Sequence, residues 1–264
     1  MEFPLASGLA SRLVVLAETN STNDDLADLA EAGDALEFTV VATTSQTAGR
    51  GRLGRAWAAP PGTSLAASVL LRPQDSGVQL GAYGWIPLIA GLAMTRAVRA
   101  LAPDRQVALK WPNDVQIGGL KVCGVLSELL PDGQSVIAGA GLNLTISAEA
   151  LPVPTATSLT LNGVSGSAAA LADRALAGYL GELRQLWAEF TAAVAEGALS
   201  GIRTSVSEAC ATLGQEVRVE LPDGTQLRGK AIDLDEAGRL RISIGSNGAM
   251  QTVAAGDVTH LRYE

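Results

Sequence analysis

Residues 48–57 form the most restrictive segment of the chain, since they place three glycines, three arginines and a tryptophan close together. Glycines let backbone N–H groups approach a ligand and adopt positive φ angles. Arginines offer planar forks that match carboxylate and phosphate oxygens, and an indole offers a flat face to a base. The segment therefore predicts a loop that binds an anion, best fitted by a nucleotide phosphate. The alternative is a solvated basic loop without a ligand.

Gly49, Gly51 and Gly54 also match the G-x-G-x-x-G pattern of a dinucleotide-binding turn. That turn requires a strand before it and a helix that opens within it. Here the sequence continues as Ala58-Ala59-Pro60-Pro61-Gly62, and prolines block helix growth. We therefore reject a dinucleotide-binding turn.

A second motif, Lys-Trp-Pro-Asn-Asp at residues 110–114, is followed closely by the segment 121–128. Alternating and β-branched residues predict strands on both sides, with Gly118-Gly119 as the hairpin turn. Lys121 then begins a strand. Asn113 and Asp114 lie where a strand ends, a position from which polar groups commonly point into a cleft. The alternative for Pro-Asn-Asp is an ordinary turn.

Composition excludes several kinds of site and partner. A net charge of −8 argues against a nucleic-acid surface, because such binding depends on Lys and Arg that neutralise phosphates. His260 is the single histidine, so we expect neither a histidine triad nor a metal site, and we interpret His260 as a structural or surface residue.

The cysteine content and the apolar segments predict a cytoplasmic protein. Cys123 and Cys210 are too few for a disulfide framework, and no basic-then-apolar leader begins the chain at Met1. The longest apolar stretch, around residues 85–94, is shorter than the roughly 20 residues that span a bilayer. We therefore expect no membrane partner.

Hydrophobic periodicity predicts one large domain followed by a small β module. Helices are predicted at 23–32, 85–101 and 167–195, and strands at 38–43, 64–71, 107–110, 115–117, 121–130 and 135–146. The segment 46–62 is predicted to be a long loop that is ordered by a ligand and closes over it. After Gly201, short strands with turns at 222–224, 235–238 and 245–248 predict an all-β module from about residue 211 to the end. We place the domains at 1–206 and 207–264.

The Ser-Thr-Asn cluster at residues 21–23 lies at the predicted start of the first helix. A helix N-terminus presents unpaired N–H groups beside side-chain hydroxyls and an amide, which suits a small polar head group. The alternative is that Ser21 or Thr22 only caps the helix.

These motifs, together with Gly139-Ala140-Gly141-Leu142-Asn143, have the order and spacing of the biotin protein ligases, which the chain resembles over essentially its whole length. Cys123 departs from the family pattern, where a small residue such as alanine is expected. The resemblance implies an α+β fold: a central mixed sheet with flanking helices, of the class II synthetase and biotin/lipoate ligase type, plus a small C-terminal SH3-like β-barrel. It also implies the ligase type that lacks a DNA-binding domain.

The activity implied by the resemblance is ATP-dependent ligation of biotin to a lysine of a biotin carboxyl carrier protein domain, through biotinyl-5′-AMP and with Mg²⁺. The catalytic residues would be Lys121, Arg52 and Asp114. Biotin and ATP would be bound by Ser21, Thr22, Asn23, Gln46, Gly49, Arg50, Gly51, Arg52, Arg55, Trp57, Asn113, Lys121, Gly124 and Asn143. Residues 21–23 and Gln46 would hold the biotin head group, and Trp57 would stack on adenine.

Several alternatives stay open at this point. Asp114 either orients or deprotonates the acceptor lysine, contacts Mg²⁺, or has a structural role. A lipoate ligase or octanoyl transferase shares the implied fold, but its arginine/glycine-rich pattern followed by histidine is absent. A biotin sensor or repressor would need a DNA-binding segment, and none is visible. The protein is either a monomer or a homodimer.

The role of the C-terminal module also stays open. Every residue assigned to biotin or ATP precedes Leu144, so we expect the module to contribute none. It either docks an acidic carrier surface or only stabilises the fold. The basic residues proposed for docking are Arg218, Arg228, Lys230, Arg239 and Arg241.

Overall fold

The structure is a computed structural model that describes residues 2–221, 223–245, 248–254 and 256–261. Met1 lies outside these ranges, as do Pro222 and Ser246-Asn247, which belong to two of the predicted turns. Its α-helices are α1 (Pro4–Ser7), α2 (Thr22–Glu31), α3 (Ile86–Leu101), α4 (Ala168–Ala195) and α5 (Ser200–Ala209). Within the described residues, none of the helices combines the length and hydropathy needed to cross a bilayer.

The strands fall into one large sheet, one smaller sheet and one short hairpin. They are β1 (Arg12–Val15), β2 (Thr39–Thr43), β3 (Gly49–Arg50), β4 (Ala56–Trp57), β5 (Ser64–Leu71), β6 (Val107–Lys110), β7 (Asp114–Ile117), β8 (Leu120–Leu129), β9 (Val136–Asn143), β10 (Glu216–Glu220), β11 (Gln226–Leu234), β12 (Leu240–Ile244), β13 (Ala249–Val253) and β14 (Asp257–His260).

The three long helices begin where the sequence signals predict. Asp24 and Asp25 lie in the first turn of α2, where negative charge suits the helix dipole. Pro87 is tolerated in the first turn of α3. The Ser167 side chain accepts a hydrogen bond from the Ala170 N–H and so caps α4.

The central sheet has seven strands in the order β1-β2-β5-β9-β8-β7-β6. Strands β1 and β2 run parallel and the other pairs are antiparallel, so the sheet is mixed. Side chains alternate between its two faces. Val69 and Leu71 pack into the main core with α3 and α4, whereas Leu70 packs with Leu26 of α2 in a second cluster. Helices therefore cover both faces of the sheet.

The C-terminal sheet is antiparallel, in the order β13-β12-β11-β10-β14. Alternate residues such as Val217, Val219 and Ile242 are buried, as expected for strands with one covered face. Together with the central mixed sheet and its helices, this sheet confirms the predicted fold class.

Helix α5 was not predicted: the sequence pattern indicated no element between the end of α4 and the β module expected from about residue 211. Ile202, Val206 and Ala209 are buried at helical spacing along it. The proposed boundary between residues 206 and 207 falls inside this helix. That division into domains stays a prediction.

Candidate functional site

A cavity lies on the sheet face that α2 covers only in part. On this face Leu70 of β5 packs against α2. Further along the sheet the same face carries Ala66 of β5, Gly124 of β8, and Gly139 and Gly141 of β9, all of which line the cavity. Residues with little or no side chain leave room above the sheet, which larger residues would fill.

The cavity is lined by every predicted binding or catalytic residue except Gly49 and Asn143. Gly49 pairs with Trp57 in the β3–β4 hairpin, and a Cβ there would lie 2.6 Å from the Trp57 carbonyl oxygen. Asn143 is buried at the end of β9, where its Nδ2 donates to the Thr157 carbonyl oxygen at 2.8 Å. Both residues shape the surroundings of the cavity.

The glycine-arginine segment is not a loop throughout, in contrast to the prediction. Strands β3 and β4 pair as a short hairpin, joined by a 3-10 turn at Arg52–Gly54. Gly54 takes a φ of 73°, and Leu53 also has a positive φ, of 56°. The hairpin brings arginines and Trp57 to the same cavity from one short piece of chain.

Lys121 and Asp114 form an ion pair in the cavity, with Nζ 2.7 Å from Oδ1. Lys121 is the second residue of the long strand β8 and Asp114 is the first residue of β7, and the two strands are adjacent in the sheet. Arg52 reaches the same region from the hairpin. Its Nη1 donates to Asn113 Oδ1 at 3.4 Å and to the Gly256 carbonyl oxygen at 3.3 Å.

Arg50 is already paired with carboxylates. Its guanidinium makes two hydrogen bonds to Asp24, of 2.7 and 2.6 Å, and Nη2 lies 3.2 Å from Glu128 Oε2. Hydrogen bonds from Arg50 hold the pKa of Asp24 below its usual value, and the hydrogen bond with Asp24 raises the pKa of Arg50. A ligand anion would have to share this guanidinium with both carboxylates.

The Trp57 indole packs on the bare strand positions of the sheet. A Cβ at Gly141 would lie 2.5 Å from Trp57 Cε2, and one at Gly124 would lie 3.5 Å from Trp57 Cζ3. Lys121 Nζ lies 5.8 Å from the centroid of the indole. The indole Nε1 is buried against Gly141 without a hydrogen-bond partner.

A network of polar side chains lies at the α2 end of the cavity. Gln46 Oε1 accepts from the Thr22 N–H at 2.9 Å. Ser68 Oγ lies 2.7 Å from Thr22 Oγ1 and 2.5 Å from Asn23 Oδ1. Asn23 Nδ2 donates to Glu128 Oε2. Thr22, Asn23 and Ser68 are buried.

The sequence did not identify several of these residues. Ser68 and Glu128 are polar residues in strands, on the same face as the cavity glycines. Ser68 lies two residues from Ala66 in β5 and Glu128 lies four residues from Gly124 in β8, and these even separations are a signal that strand alternation provides. Gly256 also lines the cavity, which corrects the expectation that the C-terminal module contributes no residue. No sequence signal pointed to Gly256.

Among the residues that the structure describes, no group of three or more His, Cys, Asp and Glu side chains is placed to hold a metal ion. His260 is buried, and its Nε2 lies 3.2 Å from Thr212 Oγ1, which fits a structural residue.

Comparisons with known proteins agree across both parts of the chain. The model of the Biotin/lipoate A/B protein ligase family matches residues 15–143, and that of the Biotin protein ligase C terminal domain matches residues 212–261. The biotin–[acetyl-CoA-carboxylase] ligase of Mycobacterium tuberculosis is 40% identical over 253 residues, which cover 95% of this chain and 90% of the relative.

Two solved structures have the same fold. Biotin protein ligase from Aquifex aeolicus in complex with biotin and ATP is 26% identical, with a TM-score of 0.74 over 94% of this chain and 98% of that chain. Biotin protein ligase from Leishmania major in complex with biotinyl-5-AMP is 25% identical, with a TM-score of 0.56 over 93% of this chain and 99% of that chain.

Proposed function

Because the chain belongs to the biotin protein ligase family, and is therefore an enzyme, we propose that it activates biotin with ATP and transfers it to a lysine of a carrier protein. The acceptor would be the biotin carboxyl carrier domain of a biotin-dependent carboxylase, in keeping with the name of the Mycobacterium tuberculosis relative. The observation that carries the proposal is that one cavity gathers Arg52, Lys121, Trp57 and the start of α2.

The first half-reaction joins two anions. A biotin carboxylate oxygen attacks the α-phosphorus of ATP, the bond to the bridging oxygen breaks, and pyrophosphate leaves. Lys121 and Arg52 would offset the repulsion between carboxylate and phosphate, because preorganised positive charge stabilises the charge that develops in the transition state. Lys121 has three N–H donors, and Asp114 is 2.7 Å from this amine, which leaves donors for ligand oxygens.

The polar network at the start of α2 would bind the ureido head of biotin. A cyclic urea presents two N–H donors and one carbonyl acceptor, so its site must offer groups of both kinds. Thr22 and Gln46 supply such groups at the cavity wall. Trp57 would stack on adenine, since its indole lines the cavity beside the sheet glycines.

The second half-reaction transfers biotin to the carrier. The lysine amine attacks the acyl carbon of biotinyl-5′-AMP, AMP leaves with the electron pair of the broken C–O bond, and the amine loses a proton. Asp114 is the carboxylate that lines this cavity among the described residues, so we assign it to orient the acceptor amine or accept its proton. The Leishmania major relative was solved with this kind of adenylate.

Mg²⁺ would enter with ATP. It commonly binds through one or two carboxylates together with substrate phosphates, and Asp114, which is already paired with Lys121, is the carboxylate available in the cavity. The phosphates would therefore supply most of the ligands. When bound, the ion neutralises phosphate charge.

A biotin-dependent ATP–pyrophosphate exchange assay tests the proposal. Biotin should support incorporation of labelled pyrophosphate into ATP, and addition of a carrier domain should convert the adenylate into biotinylated carrier. Lipoate and octanoate serve as comparison substrates, because a lipoate or octanoate ligase is the alternative within this fold. Exchange that depends on lipoate and not on biotin would overturn the proposal in favour of that alternative.

A further inference from the structure

We propose that Ser68 and Glu128 are positioning residues that fix which groups in the head-group pocket donate and which accept hydrogen bonds, and so select a cyclic urea. The inference rests on the proposed function. Neither side chain is among the residues that line the cavity. Ser68 is buried beside Thr22, and Glu128 reaches the same network through Asn23. We call the hydrogen-bonded series Glu128, Asn23, Ser68 and Thr22 the relay, and each of its steps follows from which atoms carry a proton.

The relay begins at Glu128, whose carboxylate is paired with Arg50. An ionised carboxylate only accepts hydrogen bonds. The end of the Asn23 amide that faces Glu128 must therefore be Nδ2, as the hydrogen bond from Asn23 Nδ2 to Glu128 Oε2 shows. The amide oxygen of Asn23 is then directed to the opposite side, toward Ser68.

Ser68 passes this orientation on to Thr22. Its Oγ lies 2.5 Å from Asn23 Oδ1, and because that oxygen cannot donate, the single hydroxyl proton of Ser68 must lie between them. Thr22 Oγ1 lies 2.7 Å from Ser68 Oγ and 3.3 Å from Gln46 Oε1. Because the Ser68 proton is taken by Asn23, we place the Thr22 proton in the shorter of these two contacts. Thr22 Oγ1 is left with lone pairs, and it presents an acceptor to the cavity.

Gln46 is oriented from the other side. The backbone N–H of Thr22 donates to Gln46 Oε1 at 2.9 Å, so the other end of the amide is the donor Nε2, which lies beside Gly49 of the hairpin. The wall therefore presents an acceptor at Thr22 and a donor at Gln46. One N–H and the carbonyl oxygen of a cyclic urea match this pair.

Binding of biotin and its two cyclic carbamate analogues to the full chain, measured by calorimetry, tests the relay. In each analogue a ring oxygen replaces one of the two ureido N–H groups. The wild type should bind the carbamate whose ring oxygen faces Thr22 about 100-fold or more weakly than biotin, because the ring oxygen and Thr22 Oγ1 are both acceptors. In Ser68→Ala the Thr22 hydroxyl keeps only the longer, 3.3 Å contact with Gln46 Oε1 and can turn to donate to the ring oxygen. We therefore expect this preference to fall by about tenfold or more.

Further variants separate selection from a general loss of fit. Ser68→Thr keeps the hydroxyl and should restore the preference. In Glu128→Gln, Arg50 holds the new amide oxygen, the amide nitrogen faces Asn23, and the preference should also fall. Ser158 is a buried serine whose Oγ donates to the Ile146 carbonyl oxygen at 2.8 Å outside the cavity. Ser158→Ala is therefore the matched control and should leave the preference unchanged.

Two results would overturn the relay in proteins that remain folded. One is an unchanged preference in both Ser68→Ala and Glu128→Gln. The other is an equal loss of affinity for biotin and both carbamates, which a merely structural role would produce. Failure of the wild type to bind biotin would instead overturn the proposed function.

Discussion

Lys121 is the residue on which the proposed chemistry depends most. Its side chain is 34% exposed and that of Asp114 is 20% exposed, so the pair is partly shielded from water while its charges still face the cavity. A partly exposed ion pair contributes little to stability, about 1 kcal/mol or less. The pair is therefore better placed to act on a ligand than to hold the fold.

We predict that Lys121→Ala abolishes adenylation and leaves the fold intact. Loss of one preorganised donor at the reacting oxygens typically lowers the rate by about 100- to 1000-fold. Biotin-dependent pyrophosphate exchange measures the loss, and thermal unfolding checks the fold. Lys121→Arg keeps the charge and should retain more exchange than the alanine variant. Near-normal exchange in folded Lys121→Ala would show that Lys121 does not act in this step.

Arg52 should help to retain the adenylate. Its guanidinium reaches from the hairpin to Asn113 and Gly256, so we expect Arg52→Gly to loosen the hairpin over the cavity. The reactive intermediate would then escape and label unrelated proteins that have exposed lysines. Free adenylate and labelling of a bystander protein are the measurements. Arg52→Ala separates loss of the guanidinium from added backbone freedom. If both variants retain the adenylate as well as the wild type does, Arg52 has no role in its retention.

Contiguous motifs made the residues of the hairpin and of 110–114 recognisable from the sequence. Ser68 and Glu128 were not recognised, because their role depends on pairing between distant strands. Ser68 lies opposite Gly139, which in turn lies opposite Leu126. The sequence alone does not reveal this register of β5, β9 and β8. It likewise did not show that Asn143 lies outside the cavity lining.

At the scale of elements, β8 and β9 form a bare surface on which the hairpin rests. Gly124 and Gly141 are cross-strand partners, and both lie under the Trp57 indole. Side chains at these positions would lift the indole from the sheet. The two strands therefore set where the proposed adenine site can form.

We predict that Gly141→Ala weakens ATP binding more than biotin binding. Its Cβ would lie 2.5 Å from Trp57 Cε2, so the indole must move. Stacking of a base on an aromatic side chain is worth about 1–3 kcal/mol, so ATP affinity should fall about tenfold or more. Calorimetry with each ligand separately measures both effects.

The matched control for this variant is Gly181→Ala. Gly181 lies in α4, and a Cβ there meets no atom within 4 Å, so this change should leave both affinities unchanged. Equal losses of ATP and biotin affinity in Gly141→Ala would mean that the whole cavity had shifted. Unchanged ATP affinity would argue against a role of Trp57 in stacking.

The predicted elements that matched best were those with a strong local pattern, such as α4 and β5. The buried stripe of α4 includes Tyr179, Leu183 and Phe190, which the helical period predicts. Helix α5 has only three buried residues in ten, and its Gly201 and serines weaken the helical signal. Packing against α3 and α4, which no local pattern reveals, holds α5 in place.

At the scale of the whole molecule, the C-terminal sheet packs close to the cavity. Trp85 Nε1 donates to the Glu236 carbonyl oxygen at 2.8 Å, and Trp111 Nε1 donates to that of Gly238 at 3.2 Å. Both partners lie in the turn between β11 and β12. These contacts hold the sheet where Gly256 meets Arg52.

Two of the basic residues predicted to dock an acidic carrier form ion pairs with carboxylates of the module itself. Arg239 Nε lies 2.7 Å from Asp235 Oδ2, and Arg241 is paired with Asp233. Hydrogen bonds from Arg241 hold the pKa of Asp233 below its usual value. The pattern of short strands and turn residues predicted the β module. Its contacts with the first domain depend on tertiary packing, which a single sequence does not reveal.

We therefore predict that the C-terminal sheet supports adenylation as well as transfer, and Trp85→Phe tests this without touching the cavity. The variant leaves the Glu236 carbonyl without its donor, which typically costs about 1–3 kcal/mol of unfolding free energy. Because the sheet is then held less firmly against Arg52, pyrophosphate exchange and biotin transfer should fall together. The measurements are both half-reactions and chemical denaturation.

Trp187→Phe is the matched control for this loss. Trp187 is also buried, and its Nε1 donates to Glu37 Oε1 at 3.0 Å within the first domain. Its replacement should lower stability similarly without changing either half-reaction. If Trp85→Phe lowers transfer alone while exchange stays normal, the sheet acts only in docking the carrier. Equal effects of both variants on exchange would trace the loss to general destabilisation, because the Trp187 indole bonds to Glu37 whereas the Trp85 indole bonds to the C-terminal turn.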